Sequence, residues 1–189
     1  LCLRGVPCSA SIVPLGDPNL RVFDCTVIAT LNPDQDAKFP FVFESGVSQF
    51  NEGHIPGAGH LDLLGELSDK SSELLFPLPP EQQFASAMSK AGVSEGTRVV
   101  LYGTAEPIWA ARVWWMLRAF GFDNVAVLNG GWAKWCAESR SISKDSSTYA
   151  PGQFAAQTRP QCFVGKDEVL TAIGRSEEHT SELQSRRNL

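Results

Sequence analysis

Thiol chemistry has five possible nucleophiles in this 189-residue chain, Cys2, Cys8, Cys25, Cys136 and Cys162. A cysteine attacks as its thiolate, which needs an accessible, electropositive niche such as the turn between a strand and a helix. None of the five occupies such a turn. Cys25 closes an apolar run and Cys136 follows Trp132 and Trp135, so both read as small core hydrophobes. No cysteine has an arginine six residues on, which removes the thiol-and-guanidinium phosphate loop and with it a phosphatase. There is no CxxC pair to suggest zinc or a redox motif. No catalytic residue, metal ligand or cofactor is therefore assigned.

The remaining candidates are a histidine and an arginine. His54 lies in the segment GHIPGA (residues 53–58), beside Pro56 and Gly57, and is expected to hydrogen-bond backbone and fix that turn rather than act as a base. Arg112 lies near the start of an apolar helix, where the helix dipole disfavours positive charge, so it requires an acidic or anionic partner. It is the single binding candidate, with a structural salt bridge as the competing role. Trp109, Trp114, Trp115, Trp132 and Trp135 read as core or interface residues.

The elements that must position these residues alternate between strand and helix. Residues 20–28 (LRVFDCTVI), 98–102 (RVVLY) and 124–128 (NVAVL) are β-branched and apolar runs, the pattern of strands buried on both faces. GHIPGA forms a tight turn ahead of a short strand at residues 61–64. Residues 80–91 predict a helix with Phe84, Ala87, Met88 and Ala91 on one face and Gly92 as its C-cap. Residues 108–120 predict a helix apolar almost all round and hence buried on most sides, and a short helix runs through Trp132, Trp135 and Cys136. The alternation argues an α/β domain with a mostly parallel central sheet flanked by helices.

Composition narrows the partners. A net charge of -5 with scattered lysines and arginines offers no basic stripe for nucleic acid. No apolar run approaches the length of a membrane-spanning helix. Five widely separated cysteines suit a reduced, intracellular protein, which points to the cytoplasm; the chain begins Leu-Cys-Leu-Arg without a methionine, so a mitochondrial location stays open.

The composition also divides the chain. Residues 1–137 form a first domain, residues 138–161 have the serine, threonine, proline and glycine content of an interdomain linker, and residues 162–174 resume a helical pattern that opens a second domain. Residues 175–189 contain neither a strand nor an amphipathic face. They resemble one reading-frame translation of a DNA sequencing adapter, an assembly scar; the alternative is a polar natural tail.

Residues 20–24 (LRVFD), 53–58 (GHIPGA), 68–72 (SDKSS), 110–116 (AARVWWM) and 127–131 (VLNGG) together resemble the N-terminal domain of the thiosulfate and 3-mercaptopyruvate sulfurtransferases, the two-domain branch of the rhodanese family. The resemblance implies two similar domains, with a persulfide-carrying cysteine in the second. It further implies a small anionic sulfur donor, a thiol acceptor, and packing against a second domain that this chain barely begins. The turn equivalent to the cysteine-bearing one reads Gly103-Thr104-Ala105-Glu106-Pro107, without a thiol. Glu106 and Pro107 fit a helix start, and Glu106 puts negative charge where an anion would bind. His60 stands where relatives usually carry an aromatic. Asp62 matches the first of two acids found in mercaptopyruvate-type relatives, but Leu63-Leu64-Gly65 lacks the second, and Phe76-Pro77-Leu78-Pro79 replaces a His-Met-Leu-Pro segment. The chain is therefore expected to be an inactive first domain of a sulfurtransferase, the alternative being a non-enzymatic rhodanese-like module that binds a partner.

Overall fold

The computed structural model describes residues 15–173 apart from 35, 105 and 146. Residues up to Thr158 belong to one compact unit and those from Arg159 to a second. In chain order the first unit carries β1 (Leu20–Asp24), β2 (Val27–Leu31), β3 (Phe41–Ser45), α1 (Val47–Glu52), β4 (Gly59–His60), α2 (Glu81–Lys90), β5 (Arg98–Tyr102), α3 (Ile108–Ala119), β6 (Val125–Val127) and α4 (Gly131–Ala137).

The central sheet has the order β4-β1-β5-β6 and is parallel throughout. β1 alternates its side chains between two cores, as strand geometry requires. Phe23 joins Phe84 and Met88 of α2 and Val113, Met116 and Leu117 of α3 on one face. Leu20 and Val22 join Phe50 of α1, Ile55 and Trp135 of α4 on the other. This is the α/β architecture, with helices on both faces, that the strand and helix alternation predicts.

The structure departs from several local expectations. The run 20–28 is two strands in different sheets, because the buried Asp24 carboxylate accepts hydrogen bonds from the Thr26 amide and hydroxyl and turns the chain after β1. β2 then pairs antiparallel with β3, a hairpin partner hidden in a polar, proline-broken stretch of sequence. The strand expected at 61–64 is instead the two-residue β4; Leu61 still donates its amide to Asp24 O at 2.9 Å, but Asp62 then takes the Leu64 amide and bends the chain. Helix α3 buries one face rather than most of its surface. Trp114 and Trp115 stay half-buried, with the guanidinium groups of Arg118 and Arg112 lying 5.0 and 4.8 Å from their rings.

Gly92 ends α2 with φ of +78°, and a Cβ there would stand 2.6 Å from Tyr149 Cβ. That close approach belongs to the segment following α4, which packs on the first unit as far as Thr158. Ser143 bridges to His54, the Tyr149 ring meets Phe23 edge-on at 5.6 Å, and Phe154 enters the core beside Phe84 and Phe122. In the second unit a 3-10 turn (Pro160–Cys162) precedes α5 (Lys166–Ile173). The helix expected from residue 162 begins four residues later, because Phe163 is extended and Asp167 and Glu168 supply the acidic first turn. Val169, Leu170 and Ile173 of α5 are exposed. The tail 175–189 and Cys2 and Cys8 lie outside the described residues.

Candidate functional site

In a parallel α/β sheet, ligand sites form where loops leave the carboxyl ends of the strands. Here β1, β4 and β5 end side by side: Asp24 is the register partner of His60 on one side and of Tyr102 on the other. All three therefore lie in one row at the sheet's C-terminal edge. Beyond Tyr102 the turn at Gly103 leads into α3, which starts with Pro107 as N-cap and the Ala111 amide on Pro107 O at 2.9 Å.

A cavity of about 590 Å³ opens beside that turn, lined by Tyr102, Gly103, Thr104 and Pro107 on one side and by Leu128, Asn129 and Gly131 on the other. A second, about 510 Å³, shares Thr104 and adds Gln49, Glu52, Trp132 and Ile142. The turn is held from below. Thr104 N donates to Thr26 Oγ1 at 3.0 Å, Thr26 in turn bonds Asp24, and Thr104 Oγ1 donates to Gln49 Oε1 at 2.9 Å.

Burial and the Asp24 charge push the Tyr102 hydroxyl far above the usual phenol range, so it stays a neutral donor. The amide of Ile55 donates to it at 3.4 Å. Sequence reasoning did not single out Asp24, Thr26 or Tyr102. The available signal was an aspartate ending an apolar strand, with a threonine two residues on in the spacing of an Asx turn.

The cysteines hold no nucleophile at this edge among the described residues. Cys25 is fully buried, and burial followed by the Asp24 charge raises its thiol well above the ordinary value, so it remains protonated. Cys136 is exposed, not a core residue: α4 turns Trp135 inward instead. Cys162 is half-buried in the second unit.

His54 does hydrogen-bond backbone. Nδ1 lies 2.8 Å from Phe50 O and Nε2 3.0 Å from Asp145 O, with the ring stacked on Phe50 at 4.0 Å. Its main chain exchanges both hydrogen bonds with Ser143. His60 Nε2 is buried with no hydrogen-bond partner among the described residues. Burial lowers the pKa of His60, while the charges of Asp24 and Asp62 oppose that shift.

Arg112 lines neither cavity. Its Nη2 donates to Phe76 O at 2.8 Å, and among the described residues it makes no ion pair. The expected acidic partner is replaced by a carbonyl oxygen and the Trp115 face, and burial lowers the guanidinium's pKa. Glu106 is exposed and places its charge one residue before the α3 cap, an unfavourable setting for an anion at that terminus.

The family model of the rhodanese-like domain matches residues 14–138. The chain belongs to the rhodanese family. The 3-mercaptopyruvate sulfurtransferase of Escherichia coli strain K12 is 30% identical over 169 residues, 89% of this chain and 56% of that protein. The thiosulfate sulfurtransferase of Gallus gallus is 42% identical over 128 residues, 67% of this chain and 44% of that protein. This rhodanese-family chain thus spans about half the length of these relatives. The crystal structure of SseA, a 3-mercaptopyruvate sulfotransferase from Escherichia coli, aligns with a TM-score of 0.69 at 31% identity, covering 82% of this chain and 56% of that one.

Proposed function

We propose that this chain is the non-catalytic first domain of a two-domain sulfurtransferase, which moves sulfur from a small anionic donor such as thiosulfate or 3-mercaptopyruvate to a thiol through a persulfide in a further domain. The observation that carries this reading is the turn 103–107. It stands at the strand-to-helix position suited to a thiolate, yet contains no cysteine and has Glu106 in front of the helix.

The exposed side chains Leu74, Leu75 and Ile108, beside the half-buried Phe76 and Trp109, support a role for this face in docking that further domain. Arg112 makes only one described hydrogen bond from its five N–H groups, which supports it as the residue that meets an anion there. The proposed location is the cytoplasm, with the mitochondrion as the alternative, on the strength of five widely separated cysteines in the sequence.

The test is the thiosulfate-to-cyanide assay on the purified chain. No thiocyanate above background is expected; turnover by this chain alone would refute the reading.

A further inference from the structure

The row at the sheet's carboxyl edge contains two buried polar atoms without a well-formed hydrogen bond to any described group. Asp24 is fully buried, and its Oδ1 accepts from Thr26 N and Oγ1, while its Oδ2 lacks a well-formed hydrogen bond, with the Tyr102 hydroxyl near enough to interact with the carboxylate. His60, its register partner on β4, is likewise left with an unpaired Nε2. Unpaired buried groups are rare in folded proteins, and two on neighbouring positions call for an explanation. One proton supplies it. With His60 neutral and its ring hydrogen shared with the Thr26 backbone, Nε2 is an acceptor on the strand position next to a carboxylate; with His60 protonated, it becomes a donor in the field of the Asp24 and Asp62 charges.

We propose that Asp24 and His60 form a proton-gated pair whose state is transmitted through Thr26 to the Gly103–Thr104 turn, so that the cavity beside that turn responds to pH. Two hydrogen bonds make up the transmission path. Asp24 Oδ1 holds the Thr26 hydroxyl, and that hydroxyl holds the Thr104 amide at 3.0 Å. Any change in how Asp24 shares its charge between His60 and Thr26 alters the anchor of the turn.

Few other groups compete for the role. Asp62 follows β4 and adds a second negative charge near the ring. Cys25 and Tyr102 flank Asp24, and Tyr149 lines the small cavity that His60 borders; burial raises the pKa of all three and keeps them neutral. Glu66 and Lys90 line the same cavity and neutralise each other as an ion pair at 2.5 Å. From α1 the Phe50 ring lies 5.7 Å from the His60 ring, with His54 stacked on that same ring. This inference does not depend on the sulfurtransferase reading, since it concerns protonation inside the domain.

The experiment is a pH titration of the full chain by NMR, following the His60 ring protons and the Thr104 amide together. The expected result is one shared midpoint. In H60F the Thr104 shift should lose that titration. In T26V His60 should still titrate while Thr104 no longer follows. A Thr104 amide that is silent in the wild type, or that titrates unchanged in H60F, would overturn the proposal. Should T26V fail to fold, the comparison of wild type with H60F decides alone.

Discussion

Thr26 and Thr104 lie 78 residues apart, and the hydrogen bond between the Thr26 hydroxyl and the Thr104 amide ties the end of β1 to the turn beside the cavity. The hydroxyl has two tasks, accepting from Thr104 and donating to Asp24. Valine has nearly the shape of threonine and neither capability. T26V should therefore leave the Thr104 amide without its acceptor and remove one of the two hydrogen bonds to Asp24 Oδ1, the Thr26 amide keeping the other, at a cost of about 1–3 kcal/mol. Thr26→Ser keeps the hydroxyl and should cost markedly less. Urea unfolding of the two variants checks this, and equal losses would show that packing of the methyl group, not the hydrogen bonds, is what matters.

Tyr149 closes the segment after α4 over the sheet. Its hydroxyl accepts from Val22 N at 2.9 Å and lies 2.6 Å from Gly57 O, the carbonyl to which it donates. Y149F keeps the edge-on contact with Phe23 but removes the hydroxyl's polar contacts with Val22 and Gly57. The expected loss is on the order of 1–2 kcal/mol in unfolding free energy from chemical denaturation, with the slope unchanged. The amide of Val22 should also exchange faster with solvent. Unchanged exchange at Val22 would show that water replaces the phenol.

The sheet was legible in the sequence because its strands are buried on both faces and so read as continuous apolar runs, and helix α2 because its apolar residues recur on one face before a glycine stop. What escaped has a common cause. Asp24 and Thr26 break the first apolar run by a hydrogen-bonded turn, which hydrophobicity does not register. β3 begins after Pro40 and exposes much of its surface, so its residues lack the burial signature that marked the central strands. The site was partly legible: the turn at Gly103 and the backbone role of His54 follow from local sequence, whereas the row His60–Asp24–Tyr102 exists only through pairing of strands distant in the chain. For Arg112 the sequence pointed to an acidic or anionic partner, whereas the group the structure sets against it is a backbone carbonyl, for which sequence carries no label.

Thiol reactivity should separate along the same structural lines. Cys136 is exposed on α4, whereas Cys25 is fully buried with its thiol held protonated. Brief alkylation of the native chain followed by peptide mass spectrometry should label Cys136 at least about tenfold faster than Cys25, since attack requires both access and thiolate. Denaturant should abolish the difference. Comparable labelling of both in the native state would mean that the β1 edge opens on the timescale of the reaction.

The pH dependence of stability follows from His60. Burial, the larger effect, holds its folded-state pKa below the ordinary histidine value, and the charges of Asp24 and Asp62 only partly offset it. The unfolded chain therefore binds the proton more readily than the folded one, and stability rises with pH across the interval between the two pKa values. The contribution is complete above the unfolded value of about 6.5 and is lost as pH falls through the depressed folded value. Replacing His60 by phenylalanine removes the titrating group and suits a ring site already next to Phe50. Between about pH 7 and pH 5, the range that brackets an ordinary histidine, the wild type should thus lose more stability than H60F, measured as unfolding free energy at each pH. Parallel curves for the two proteins would show that His60 has the same proton affinity folded and unfolded.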